Sequence, residues 1–172
     1  MFQKLEGNGA RVINLYRMMG HSSAALEPFL KLGNRLLTKA KLEARLRELA
    51  ILRIANLAGS EYEWQQHAGL AREVGVTESQ MTDLPNWQES GAFDDRDKAV
   101  LTYVDEVAIR VNVADDTFAR LTDYLDETEI VELTLSLGFW GMVARFLVPL
   151  RVDLEKGTEV GGQELLGGSK RG

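Results

Sequence analysis

The 172-residue sequence contains no cysteine. Disulfides, thiolate metal ligands and thiol nucleophiles are excluded together, so peroxide reduction or disulfide exchange through the chain's own sulfur is chemically closed. Histidine is nearly as scarce, with only His21 and His67. A metal site would need carboxylates for most of its ligands, and no spacing suggests one; no metal and no cofactor is expected. There is no surplus of base either. Lys and Arg number 20 against 26 Asp and Glu, a formal charge of -6, whereas a phosphate backbone demands positive charge concentrated on one face. Nucleic acid is therefore not expected as a partner. No run of 18 apolar residues occurs, and the start (Met1, Phe2, Gln3, Lys4, Leu5, Glu6) lacks the apolar stretch of a signal peptide. A cytoplasmic location without membrane association is the expectation.

What is present is an ordinary globular composition, 45% hydrophobic and 27% charged, in a length suited to one core. The domain is expected to cover 1–156, with a flexible glycine-rich tail at 157–172. Strict apolar alternation is missing and helical periodicity dominates, so the fold class is all-α. Ser22 or Ser23 is placed to cap a helix carrying Leu26, Phe29, Leu30, Leu32 and Leu36, with Pro28 in its early turns. The segment 42–57 is apolar over so much of its surface that it should be nearly enclosed, and Gly59 stops it. A further helix runs from Ser60 to Val74 with Gly75 as a left-handed cap, and Thr77 and Gln80 form a fresh capping box. The segment 85–91 reads as a connection and 94–111 as a long amphipathic helix. Asp115 or Asp116 should cap a shorter helix with Phe118, Leu121 and Leu125 inward, and a last long helix begins near Thr128, kinked or shortened by Pro149.

Chemistry concentrates where two of these helices meet, in Arg47-Glu48-Leu49-Ala50-Ile51-Leu52-Arg53 and Ser60-Glu61-Tyr62-Glu63-Trp64-Gln65-Gln66-His67. Ser60, Glu63 and His67 stand at i, i+3 and i+7, along one helical face. Glu48 lies amid apolar residues, where burial favours its neutral form unless a histidine, an arginine or a substrate cation pairs with it. These are candidate acids and bases. Plainer roles fit the same residues. Ser60 and Glu63 spell a capping box, Glu48 could pair with Arg145 or Arg53, and Tyr62, Trp64 and Trp140 have the spacing of core aromatics. His21, in a Gly-His-Ser turn, is expected to be exposed and without a role.

The order Glu48, Ser60, Glu63, His67 resembles that of carboxymuconolactone decarboxylase-like proteins, whose AhpD-like redox branch has a glutamate, a Cys-x-x-Cys on the next helix, and a histidine four residues later. Serine and glutamate stand here in place of the two cysteines, as in a non-redox member. The similarity extends loosely over 24–151. It implies an AhpD-like protomer of about six to eight helices that assembles into a homo-oligomer, a trimer or a hexamer, with the glutamate and histidine in a cavity near a subunit contact. It further implies Glu48, Glu63 and His67 as the catalytic set. A small organic acid or lactone would be the partner, held by Arg53 or Arg145 in a site with Ser60, Tyr62 and Trp64, and the enzyme would be a lyase, isomerase or hydrolase. The alternative is a non-catalytic member that keeps the cavity for ligand binding or only for assembly.

Overall fold

The computed structural model describes Gly7 and residues 11–156; the tail expected at 157–172 lies outside the described residues. Among them the protein has eight α-helices and a 3-10 turn, with no strand: α1 (Asn14–Met19), α2 (Ser23–Thr38), α3 (Ala44–Ala58), α4 (Glu61–Glu73), α5 (Glu78–Asp83), the 3-10 segment Leu84–Glu89, α6 (Asp95–Arg110), α7 (Asp115–Thr122) and α8 (Glu127–Leu147). The all-α expectation holds.

Helix α3 is the axle. Ten consecutive residues from Leu46 to Ala55 are buried, because α4, α6 and α8 pack around it and leave no face for water. Gly59 ends it at φ 62°, a left-handed conformation that only glycine enters cheaply. Helix α8 runs beside α3 in the same direction: Lys41 pairs with Asp126, and Leu42 N, just before α3, donates to Glu132 Oε2 at 2.7 Å. By length and composition α8 is apolar enough to cross a membrane, but its inner side, with Leu133, Leu137, Trp140 and Leu147, is core. It starts from an Asp126 and Glu129 capping box and ends at Leu147, two residues before Pro149, which removes the next backbone donor.

The ends of the other helices correct the sequence reading in places. Ser22 occupies the cap position of α2 but makes no side-chain cap bond, and Pro28 sits inside the helix rather than at its start. The predicted Thr77 and Gln80 capping box of α5 is formed. Neither Asp115 nor Asp116 caps α7; Ala114 precedes it, and Glu106 of α6 does the work, accepting from Ala114 N at 2.8 Å and from Thr117 Oγ1 at 3.1 Å. Phe118 faces outward, while Leu121 and Leu125 are buried as expected.

Helix α6 ends at Val111 with φ 56°. A β-branched residue pays for left-handed backbone by crowding its Cβ against the carbonyl, roughly 1–2 kcal/mol, and Val111 is 89% exposed, so packing returns nothing. Val111→Gly should stabilise the fold by about 0.5–1 kcal/mol after glycine's extra chain entropy is subtracted. Chemical denaturation at unchanged m value is the check, and a lower midpoint would contradict it.

Candidate active site

Glu48 faces α4 from the middle of α3, and its Oε2 lies 2.7 Å from His67 Nδ1. Both side chains are buried, Glu48 to 1% and His67 to 7% residual exposure. The other Glu48 oxygen, Oε1, is 3.4 Å from Arg47 Nε, so a buried guanidinium lies beside the carboxylate. From the opposite side, Trp140 of α8 donates its indole Nε1–H to His67 Nε2 at 2.8 Å. Three helices therefore meet at one imidazole.

Glu63, one turn before His67 on α4, is as buried as Glu48, yet neither carboxyl oxygen has a hydrogen-bond partner. The predicted capping box does not form: Ser60 is the cap residue of α4, but its side chain makes no cap bond, and its Oγ is likewise buried and unpartnered. A carboxylate stripped of water and left unpaired is costly. Burial accordingly pushes the Glu63 carboxyl well above its ordinary 4.5; the nearby Ser60 hydroxyl opposes the shift without making a formed hydrogen bond. The folded protein thus holds a proton here that the unfolded chain releases. The stability this gives is complete below about pH 4.5 and is lost as pH rises through the raised folded value. Glu63→Gln, neutral at every pH and nearly isosteric, should remove that loss. Its melting temperature should gain on that of the parent from pH 4.5 to pH 8, and parallel profiles would contradict the assignment.

The remaining expected site residues are deployed elsewhere. Arg53 is tied to Asp105 of α6 by two bonds of 2.7 and 2.9 Å, and also donates to Asn56 Oδ1 and to the carbonyls of Leu84 and Pro85. Its guanidinium is consumed in joining α3, α6 and the 3-10 segment. Arg145 is exposed and donates to Gly141 O on its own helix. Neither pairs with Glu48, whose neighbouring cation is Arg47. Tyr62 is an anchor for the chain ends: it accepts from Leu15 N at 3.1 Å and donates to Glu155 Oε1 at 2.5 Å. Trp64, half-buried, packs on the cluster of Leu49, Leu52, Trp87 and Phe93. His21 is exposed. Sequence reasoning missed Arg47 and gave Trp140 to packing alone. Arg47 could have been noticed as a cation adjacent to Glu48, whereas nothing in the local sequence ties Trp140 to a histidine 73 positions away.

The Carboxymuconolactone decarboxylase family profile matches residues 23–106, the segment that contains Glu48, Glu63 and His67. Over that segment, just under half of the chain, the sequence is similar to this family. A curated relative, the uncharacterized protein YdfG of Bacillus subtilis, is 27% identical over 94 residues, which are 54% of this chain and 64% of that protein; the match spans less than two thirds of the relative's length. Among solved structures, a protein of unknown function from Agrobacterium tumefaciens, proposed as the antioxidant defence protein AhpD, superposes with a TM-score of 0.75 at 25% identity, covering 80% of this chain and 95% of that one. A peroxidase-related protein from Silicibacter sp. gives 0.77 at 16% identity over 91% and 83% of the two chains. The debrominase Bmp8, solved with 2,3,4-tribromopyrrole, gives 0.75 at 17% over 90% and 83%. The last two share the fold. With no cysteine, the chain is consistent with a non-redox version of the carboxymuconolactone decarboxylase-like, AhpD-like group that it resembles.

Proposed function

We propose that the protein is a cofactor-independent enzyme performing general acid-base chemistry on a small lactone or related carbonyl compound, as a lyase, isomerase or hydrolase. One observation carries this reading: a buried carboxylate and imidazole 2.7 Å apart with an unpartnered buried carboxyl one turn away. In this scheme His67 takes a proton from the substrate. Glu48 orients the ring and stabilises the imidazolium, as a carboxylate does behind a catalytic histidine. Glu63, neutral, donates to the developing oxyanion. With Arg53 engaged by Asp105 and Arg145 on the surface, the cation beside the pair is Arg47, already facing Glu48. That arrangement favours a neutral carbonyl substrate, such as a lactone, over a free carboxylate.

The protomer is proposed to assemble as a trimer or hexamer. Val131, Leu135 and Met142 leave an exposed apolar stripe on α8, continued by Val148 and Leu150, and such faces are ordinarily covered by another surface.

The second reading, a non-catalytic member, draws on the closure of the pair, since Glu48 and His67 have almost no exposure and each already has partners. Incubation with a panel of lactones and carboxylic acids, followed by NMR, separates the two. Conversion of a lactone by the native protein but not by His67→Ala supports the enzyme; no conversion across the panel gives the second reading.

A further inference from the structure

His67 has two hydrogen bonds, and the chemistry of one partner fixes the direction of both. An indole N–H can only donate. With Trp140 Nε1 at 2.8 Å, His67 Nε2 must offer its lone pair, and the proton of the neutral ring is then on Nδ1, directed at Glu48 Oε2. The other tautomer would set two N–H groups head to head at Nε2, and a doubly protonated ring would have no lone pair for the indole. The indole approaches in plane: the two rings stand at 90° with centroids 5.6 Å apart.

Trp140 is itself held firmly. Phe139 meets it edge to face at 5.0 Å and stacks on Phe29 of α2 at 5.0 Å. Gly33 of α2 lies so close to the Phe139 ring that an added Cβ would come within 2.8 Å of it. An aromatic ladder thus runs from α2 through α8 to the imidazole. Glu48 of α3 and the α8 indole touch the ring; Arg47 lies beside Glu48, Glu63 stands one turn before His67 on α4, and the buried Ser136 hydroxyl, one turn before Trp140 on α8, has no partner. Residues 23–106 are the family-matched segment, so Trp140 lies outside the part of the chain that carries the other site residues.

We propose that Trp140 is the positioning residue of the Glu48–His67 pair: its indole caps Nε2 of the Nδ1–H tautomer that faces Glu48, and reserves Nε2 for a substrate donor that takes the indole's place. This rests on the reading that His67 exchanges a proton with a substrate. Nε2 is the base, Glu48 stays behind the ring, and a substrate lacking a donor able to displace the indole meets a ring with no free lone pair.

The test is nitrogen NMR of the full-length protein labelled with 15N-histidine and 15N-tryptophan. Only two histidines occur, and His21→Ala assigns them. In the native protein His67 should show a single Nδ1–H tautomer with an acceptor-type Nε2, and one indole N–H should be shifted downfield and slow to exchange. Trp140→Phe keeps an aromatic ring but removes the donor; Glu48 still accepts from Nδ1–H, so the tautomer should stay while the His67 Nε2 signal moves to that of an acceptor without a hydrogen bond, with unchanged helical circular dichroism. A native His67 protonated on Nε2, or an Nε2 signal unchanged in folded Trp140→Phe, overturns the proposal. If that variant does not fold, the native spectrum alone decides. Failure of the enzymatic reading is separately visible: the expected tautomer in a protein that converts no compound removes the catalysis and leaves the positioning contact standing.

Discussion

Replacing His67 by Ala or Glu48 by Gln should lower turnover by about 100- to 10,000-fold, the usual size of a general acid-base contribution. The two substitutions act differently. His67→Ala deletes the base and leaves the Glu48 carboxylate buried beside Arg47 alone, so it should also lower stability. Glu48→Gln preserves volume and removes the charge that orients the ring and stabilises its protonated form; the corresponding change in a serine protease triad costs about 10,000-fold in kcat while the geometry survives. Glu48→Gln is therefore the cleaner probe, expected to act on kcat more than on KM because the carboxylate contacts the imidazole rather than the substrate. Steady-state kinetics on the substrate found by the lactone panel, with circular dichroism as the folding control, gives the answer. Parent-level turnover in both variants would remove the pair from the chemistry.

The parts of this site that the sequence announced are those within one helix or between neighbours. Ser60, Glu63 and His67 share a face because helical geometry leaves little choice, and the enclosure of α3 follows from a segment apolar on every side. Gly59 and the Thr77 cap were legible for the same local reason. Long-range partnerships were not. Arg53 looked available to an anion or to Glu48, until α6 brought Asp105 across a separation of 52 residues. Ser60 and Glu63 had the letters of a capping box but not its bonds, and burial rather than capping decides the state of Glu63. The stop of α6 and the start of α7 depended on Glu106 reaching forward eight residues to Ala114 N, a contact that made the Asp115 and Asp116 caps unnecessary.

The largest loss of stability is expected at the Arg53–Asp105 pair. Arg53 is almost completely buried, and its five donor contacts end on Asp105, Asn56 and two backbone carbonyls of the 3-10 segment. Asp105 in turn accepts from the Trp87 indole at 3.1 Å. Asp105→Ala would leave a guanidinium in the core without its counter-charge, and breaking one side of a buried pair costs about 3–5 kcal/mol. For a domain of this size each kcal/mol moves the melting temperature by about 2–4 °C, so a drop on the order of 10 °C is expected. Removing both charges is a different experiment. Arg53→Met with Asp105→Leu relieves the desolvation of two ions and replaces it with apolar contact, an exchange often close to neutral, although the Leu84 and Pro85 carbonyls lose a donor. The double variant should therefore be more stable than Asp105→Ala alone, by equilibrium denaturation. If instead Asp105→Ala costs less than about 1 kcal/mol, the value of an ordinary surface ion pair, the pair does not join these helices in the way its geometry indicates.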